Sequence, residues 1–140
     1  MTYHFDSYNY VLRLDKGEEL IEVLDRFARE QKLQSVWLSG LGGALSAELG
    51  YYNLETQSYE WNSIDELTEI TALQGNLAWE DDQPKWHVHA TLGKRDLSAV
   101  GGHVKKLIVG GTCELFLHRI FDTKLTRSHD NGVGLSLLNL

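Results

Sequence analysis

Two kinds of hydrophobic periodicity run along the chain, one typical of a helix and one typical of β-strands. Residues 8–14 are rich in β-forming side chains and predict a first strand, which Gly17 ends. From about Gly17 to Gln31, apolar residues recur every three or four positions, as on one face of a helix. These apolar positions are Leu20, Ile21, Leu24, Phe27 and Ala28. The beginning of the chain therefore predicts one strand followed by one helix.

The rest of the chain predicts β-structure interrupted by glycines and turns. The apolar run 36–38 is expected to break at the glycine-rich segment 39–43, and Gly110-Gly111 is expected to separate two late strands. The predicted strands are 36–38, 47–54 and 58–61 (a hairpin), 68–77, 85–92, 106–109 and 112–121. One helix with about eight strands predicts an α+β domain, with residues 1–140 forming a single unit.

The segment Gly40-Leu41-Gly42-Gly43 follows a predicted strand and invites comparison with nucleotide-binding loops. Dinucleotide loops need a third glycine at a fixed spacing and a helix after it, whereas position 45 is leucine and a β-like segment follows. The spacing therefore favours a tight turn or a β-bulge over a nucleotide site.

Composition and the chain's first residues indicate a folded protein of a reducing compartment. The 140 residues are 42% hydrophobic and 24% charged, which is ordinary for a globular domain. The single cysteine, Cys113, cannot form an intramolecular disulfide and is expected to be a small buried residue. Neither a signal peptide nor an apolar run of about 20 residues is present. We therefore expect a cytoplasmic protein with no membrane partner.

The net charge of −7 argues against nucleic acid as the main partner. Affinity for nucleic acid comes largely from lysine and arginine neutralising phosphates, and this chain has 13 basic against 20 acidic residues. A local basic patch remains open, and its candidates are Lys94, Arg95, Lys105, Lys106, Lys124 and Arg127. We interpret these side chains as solvated surface.

Three histidines close together carry the clearest chemistry of the chain. His87 and His89 are two residues apart in a predicted strand, so their side chains point to the same side, while Trp86 and Val88 point to the other. His103 follows Gly101-Gly102, which lets the backbone come close. Three neutral nitrogens with one position left over form the ligand set of a catalytic zinc ion. The alternative is that all three are polar residues with ordinary hydrogen bonds.

Two carboxylates, Glu48 and Asp96, are the candidate catalytic groups. Either could be a fourth metal ligand, a partner that orients an imidazole, or a general base. The sequence does not choose between these roles and plain solvation.

Several short segments, none specific alone, occur in one order over nearly the whole chain. They are the strand–helix opening 10–29, Leu38-Ser39-Gly40-Leu41-Gly42-Gly43-Ala44-Leu45, Glu48-Leu49-Gly50-Tyr51-Tyr52-Asn53, His87-Val88-His89, Gly101-Gly102-His103-Val104, Thr112 with Glu114, Leu125-Thr126-Arg127 and Gly134-Leu135-Ser136-Leu137-Leu138. This ordered set resembles the PPC domain, named for plants and prokaryotes.

The resemblance implies an α+β fold with a strongly bent mixed sheet, usually assembled as a homotrimer. It implies a metal site in many prokaryotic members, here on His87, His89 and His103. The fold is similar to that of acetolactate decarboxylase, a zinc lyase that also uses three histidines. The family is conventionally described as DNA-binding through plant members that carry AT-hooks, and this chain has neither an AT-hook nor an arginine-rich arm.

Three functional hypotheses follow. The first is a homotrimer that holds a divalent ion, zinc by preference, on the three histidines, with an open position for a small oxygen-bearing ligand. Enzymatic activity stays open, and a metal-dependent lyase or hydrolase is the form it would take. The second is a DNA-binding or transcription-associated regulator. The third is a subunit whose metal is purely structural, with Glu48 closing the fourth position.

Overall fold

Nine β-strands pair into one sheet, and a single helix packs against it. The computed structural model describes all 140 residues. The elements are β1 (Thr2–Phe5), β2 (Tyr10–Asp15), α1 (Leu20–Glu30), β3 (Val36–Asn53), β4 (Ser58–Ile64), β5 (Thr68–Glu80), β6 (Gln83–Gly93), β7 (Ala99–Arg119), β8 (Thr126–Asp130) and β9 (Leu135–Asn139). The predicted α+β class with one main helix is confirmed.

Four strands of the sheet close on one another. The main order is β1-β2-β7-β3-β5-β8-β9, with β4 added to β3. Strand β6 pairs with both β5 and β7, and β3 also pairs with both. Strands β3, β5, β6 and β7 therefore form a ring, which requires the strong bend that was expected. All pairings are antiparallel except the single parallel bridge between Trp79 and Thr126, so the sheet is mixed.

The helix α1 begins later than its sequence pattern predicts. Gly17 and Glu18 exchange backbone hydrogen bonds with Val109 of β7, which keeps them out of the helix. The Glu19 carboxylate caps the helix by accepting hydrogen bonds from the backbone N–H groups of Ile21 and Glu22. The face that α1 turns to the core consists of Leu20, Val23, Leu24, Phe27 and Ala28. With 11 residues in α1, no helix of the structure has the length and apolar content to cross a membrane.

The glycines do not end the strands as predicted. Strand β3 runs without a break from Val36 to Asn53, and β7 runs through Gly110-Gly111. The pairing of β3 shifts register between Gly40 and Gly42 and again between Gly42 and Ala44. The β-bulge alternative is therefore confirmed for this segment. Bulges add a residue and bend the strand without ending it, which explains the wrong boundaries.

The ends of the chain contain structure beyond the predicted strands. Strand β1 pairs with β2, and the carboxy-terminal segment forms a β8–β9 hairpin. The buried Ser35 holds the segment that leads to this hairpin, because its hydroxyl donates to the Thr123 carbonyl at 2.6 Å and accepts from the Leu125 N–H at 2.7 Å. The Trp79 N–H donates to the Leu125 carbonyl at 2.9 Å. The hairpin is thus attached to the end of β5.

We predict that Gly42→Ala destabilises the fold while Gly111→Ala does not. A Cβ at Gly42 would overlap the Thr112 carbonyl oxygen, and its φ of +153° adds strain for any other residue. A Cβ at Gly111 would meet nothing within 4 Å. We expect a loss of about 2–4 kcal/mol in the free energy of unfolding for the first variant and a change within about 1 kcal/mol for the second. Urea unfolding measures both, and equal stabilities would contradict the proposed role of Gly42.

Candidate metal centre

Strand β6 places two imidazoles side by side. The residues between and beyond them, Val88 and Ala90, are buried in the core, so His87 and His89 project from the opposite face. Their Nε2 atoms lie 3.1 Å apart. In a tetrahedral zinc site with Zn–N bonds of about 2.0–2.1 Å, neighbouring ligand nitrogens lie about 3.3 Å apart. The spacing of the two nitrogens therefore fits ligands of one ion.

The third imidazole comes from β7, the neighbour of β6. His103 is the cross-strand partner of His89, and it is also paired with Gly50 of β3. The strands meet closely here, because a Cβ at Gly102 would lie 2.7 Å from the Gly50 carbonyl oxygen. The Gly101-Gly102 pair therefore lets neighbouring strands pack closely, as its sequence predicts. One nitrogen from each of the three histidines lies within 4.8 Å of the others.

The imidazoles have few hydrogen-bond partners within the chain. The Nδ1 atom of His103 is buried without any partner, and the Nε2 atoms of His87 and His89 have only each other. Buried polar atoms in proteins are normally paired, so an unpaired imidazole nitrogen in such a cluster calls for a group that accepts lone pairs. The donor set therefore fits a divalent ion that prefers nitrogen ligands.

Burial keeps the imidazoles of His87 and His103 in their metal-binding form. Desolvation, followed by the charges of His87, His89 and Arg127, lowers the pKa of His103 to about 4. Desolvation also lowers the pKa of His87, with smaller contributions from His89 and Arg127. Both rings are accordingly neutral near pH 7, as metal ligands must be.

Aromatic side chains of β4 lie against the third histidine. The ring centroids of Tyr59 and His103 are 4.9 Å apart, and those of Trp61 and His103 are 6.2 Å apart. Tyr59 and Trp61 also stack on each other at 4.6 Å. These contacts fix the orientation of the His103 ring, which is what a metal ligand requires.

A cavity of about 350 Å³ opens beside the cluster. Its walls include His87, His103, Tyr59, Arg127, Leu135 and Leu137. Sequence reasoning missed Tyr59 as a wall residue and interpreted Arg127 as solvated surface. These residues are far from the histidines in sequence, so no local spacing indicates them. The only available signal for Arg127 was its place in a segment that resembles the family.

The two candidate carboxylates lie outside the three-histidine cluster. The Glu48 carboxylate accepts a hydrogen bond from Lys105 Nζ at 2.8 Å. The Asp96 carboxylate is exposed in a turn and accepts from the N–H and hydroxyl of Ser98. Neither belongs to the group of residues whose ligand atoms converge. Their catalytic roles stay predictions.

Comparison with known proteins identifies the family. The model of the Plants and Prokaryotes Conserved (PCC) domain, the PPC domain named above, matches residues 1–121. The chain is also 29% identical over 132 residues to the bifunctional protein GlmU of a Synechococcus species. That match includes 94% of this chain and 20% of GlmU, so the chain spans about a fifth of the length of the curated relatives it matches.

Solved structures of similar proteins share the whole fold. A metal-containing protein of Archaeoglobus fulgidus is 30% identical with a TM-score of 0.89, covering 100% of this chain and 99% of that one. A candidate DNA-binding protein of Bacteroides thetaiotaomicron is 25% identical with a TM-score of 0.94, covering 99% and 96%.

A more distant structure tests the expected likeness to acetolactate decarboxylase. A Staphylococcus aureus protein similar to that enzyme has a TM-score of 0.57 at 11% identity, covering 79% of this chain and 52% of that one, which shows a likeness of fold alone. The family model, by contrast, spans the strand–helix opening, strands β1 to β7 and all three histidines. On that match, this chain belongs to the PPC domain family.

Proposed function

We propose that this protein binds one divalent ion, zinc by preference, on His87, His89 and His103. The observation that supports the proposal is the convergence of one imidazole nitrogen from each of the three histidines, together with a His103 ring whose Nδ1 is buried without a partner. A relative from Archaeoglobus fulgidus with 30% identity is a metal-containing protein, which agrees with this assignment.

The ion would have a position left for a small oxygen-bearing ligand. Only three protein ligands converge, and the Glu48 carboxylate pairs with Lys105 instead of joining them. A bound divalent ion supplies Lewis acidity, which polarises a carbonyl or activates a water molecule. The chain's own residues would orient the ligand in the neighbouring cavity. If the protein is an enzyme, a lyase or hydrolase reaction with Glu48 or Asp96 moving protons is the form we propose.

Metal analysis of purified protein tests the site. We expect about one equivalent of zinc per wild-type chain and almost none in the His87→Ala/His89→Ala variant, since losing ligands costs more than the roughly 10–100-fold that follows loss of an outer partner. His118→Ala is the matched control, because His118 is an exposed histidine of the same strand as His103. Equal, negligible metal in the wild type and the double variant would rule out the site.

We further propose that the protein assembles as a homotrimer, as family membership implies. The sheet has an exposed apolar strip on β2, β7 and β3 that offers a contact face. Val11 and Phe116 are cross-strand partners on this strip. Trp37 and Leu41 lie on either side of Ser39, which is the β3 partner of Phe116. The exposed fractions of Val11, Phe116, Trp37 and Leu41 are 39%, 42%, 46% and 54%. A subunit interface would remove this apolar surface from water.

A charged side chain placed on this strip tests the proposed trimer. We expect a trimer for the wild type and mostly monomer for Phe116→Glu, because a carboxylate buried in an apolar interface loses its hydration. Leu54→Glu serves as control, since Leu54 is 67% exposed and lies outside the strip. Sedimentation velocity gives the mass of each species, and a monomeric wild type would contradict the proposal.

DNA binding is the second candidate function, and it is favoured by the names of two structural relatives. Proteins of Bacteroides thetaiotaomicron and Ralstonia eutropha, both 25% identical, are candidate DNA-binding proteins. In this chain, the lysines at positions 94, 105 and 124 each form a salt bridge with a carboxylate. Paired lysines are less available to phosphates, so the charge pattern favours the metal hypothesis.

We expect no measurable affinity for duplex DNA at low salt. The net charge of −7 repels the phosphate backbone, and three of the candidate lysines (Lys94, Lys105 and Lys124) are paired with carboxylates. Fluorescence anisotropy with labelled duplexes at about 50 mM and 200 mM salt makes the measurement. Binding that weakens steeply with added salt would establish the second candidate instead.

A further inference from the structure

Arg127 of β8 lies next to the strand pair that carries the histidines. Its Nη2 donates to Asn76 Oδ1 at 2.7 Å, and its Nη1 donates to the Ser136 carbonyl of β9 at 2.9 Å. Asn76 is the direct cross-strand partner of His87 in the β5–β6 ladder. The guanidinium is therefore fixed by one contact from the sheet and one from its own hairpin.

The backbone that leads to Arg127 is also fixed. The buried Ser35 hydroxyl donates to the Thr123 carbonyl and accepts from the Leu125 backbone N–H. The Leu125 carbonyl in turn accepts from the backbone N–H of Trp79. Thr126 then forms the parallel bridge with Trp79. An arginine positioned in this way loses little side-chain freedom when it binds a ligand, and that preorganisation favours affinity.

The positive charge of Arg127 has no carboxylate partner. Its two hydrogen bonds leave the remaining N–H groups of the guanidinium fork free, and none of the chain's salt bridges involves it. The one acid in the cavity wall, Glu80, accepts from the Ser136 hydroxyl at 2.6 Å and pairs with Lys85 at 3.7 Å. Arg127 is half-buried, and this burial lowers its pKa although Glu80 opposes the shift. A partly buried cation that no carboxylate of the chain contacts directly favours an anionic ligand.

The cavity joins Arg127 to the proposed metal site. His87 and His103 line the same space of about 350 Å³ as Arg127, and the charge of Arg127 lowers the pKa of both histidines. Tyr59, Leu135 and Leu137 add apolar surface to the walls. Ligand cavities usually measure about 300–1,000 Å³, so this one suits a small molecule.

We propose that this cavity binds a small carboxylate, whose carboxylate group pairs with Arg127 while the rest of the molecule lies toward the three histidines. The planar fork of an arginine matches the two oxygens of a carboxylate. Lys85 in the same wall is paired with Glu80, which leaves one unpaired cation, Arg127. One such guanidinium and partly apolar walls suit a single negative charge with a short organic body better than a doubly charged phosphate. The inference rests on the proposed function, since the histidines are taken to hold an ion.

Calorimetric titration with acetate, acetamide and inorganic phosphate tests the inference on the zinc-loaded full chain. We expect acetate to bind the wild type at least about tenfold more tightly than its neutral isostere acetamide, and more tightly than phosphate. We expect Arg127→Gln to lower the acetate affinity by about tenfold or more and Arg127→Lys to lower it less, because lysine keeps the charge and loses the fork. Arg13→Gln is the matched control, since Arg13 is an exposed arginine of β2 outside the cavity.

Metal content, measured in the same samples, separates this inference from the proposed function. Wild-type protein without zinc would defeat the metal proposal. Zinc-loaded wild type and Arg127→Gln with equal acetate affinities would overturn only the carboxylate site. If Arg127→Gln does not fold, the comparison of acetate with acetamide on the wild type decides, and equal affinities would overturn the inference. Acetate that binds neither the metal-loaded nor the metal-free wild type would overturn it as well.

Discussion

Three imidazoles from two strands can meet at one point only where the strands approach closely, and glycines at the crossing allow that approach. The backbones of Gly50 and Gly102 are in close contact beside His103, and a side chain on Gly102 would collide with the Gly50 carbonyl. Gly75 of β5 similarly leaves room for the backbone of His87. With β6 paired to both β5 and β7, the ring of four strands holds the three histidines on rigid backbone. Such a frame gives a metal site its precision, because strands vary less in position than loops.

The arrangement has a cost that the surrounding fold compensates. Three imidazoles are gathered together, and a buried nitrogen without a partner costs about 1–3 kcal/mol. The apolar core of 26 buried residues beneath the strands stabilises the fold in spite of it. Unpaired polar groups kept in an otherwise well-paired structure are typical of functional sites. The half-buried Arg127 without a carboxylate partner is a second such feature, and it faces the same cavity.

Family membership fixes the fold more firmly than the activity. Related chains include a metal-containing protein and candidate DNA-binding proteins, and part of a much longer GlmU protein matches as well. One scaffold can therefore be associated with different roles, so function has to be argued from the site. In this chain the site evidence is a histidine cluster with an adjoining cavity, whereas three of the four lysines that could contact DNA are engaged with carboxylates. The physical evidence accordingly favours small-molecule chemistry at a metal.

The sequence by itself determined the elements whose signal is local. The alternation around His87 and His89 placed both on one face of a strand, and the apolar spacing from Leu20 to Ala28 located the helix. Only the tertiary structure decided that β3 and β7 continue through their glycines, because a bulge and a turn use the same residues and differ in long-range pairing. It also decided that Arg127 and Tyr59 share a cavity with His103, since contacts between distant segments depend on strand order and register, which periodicity does not encode.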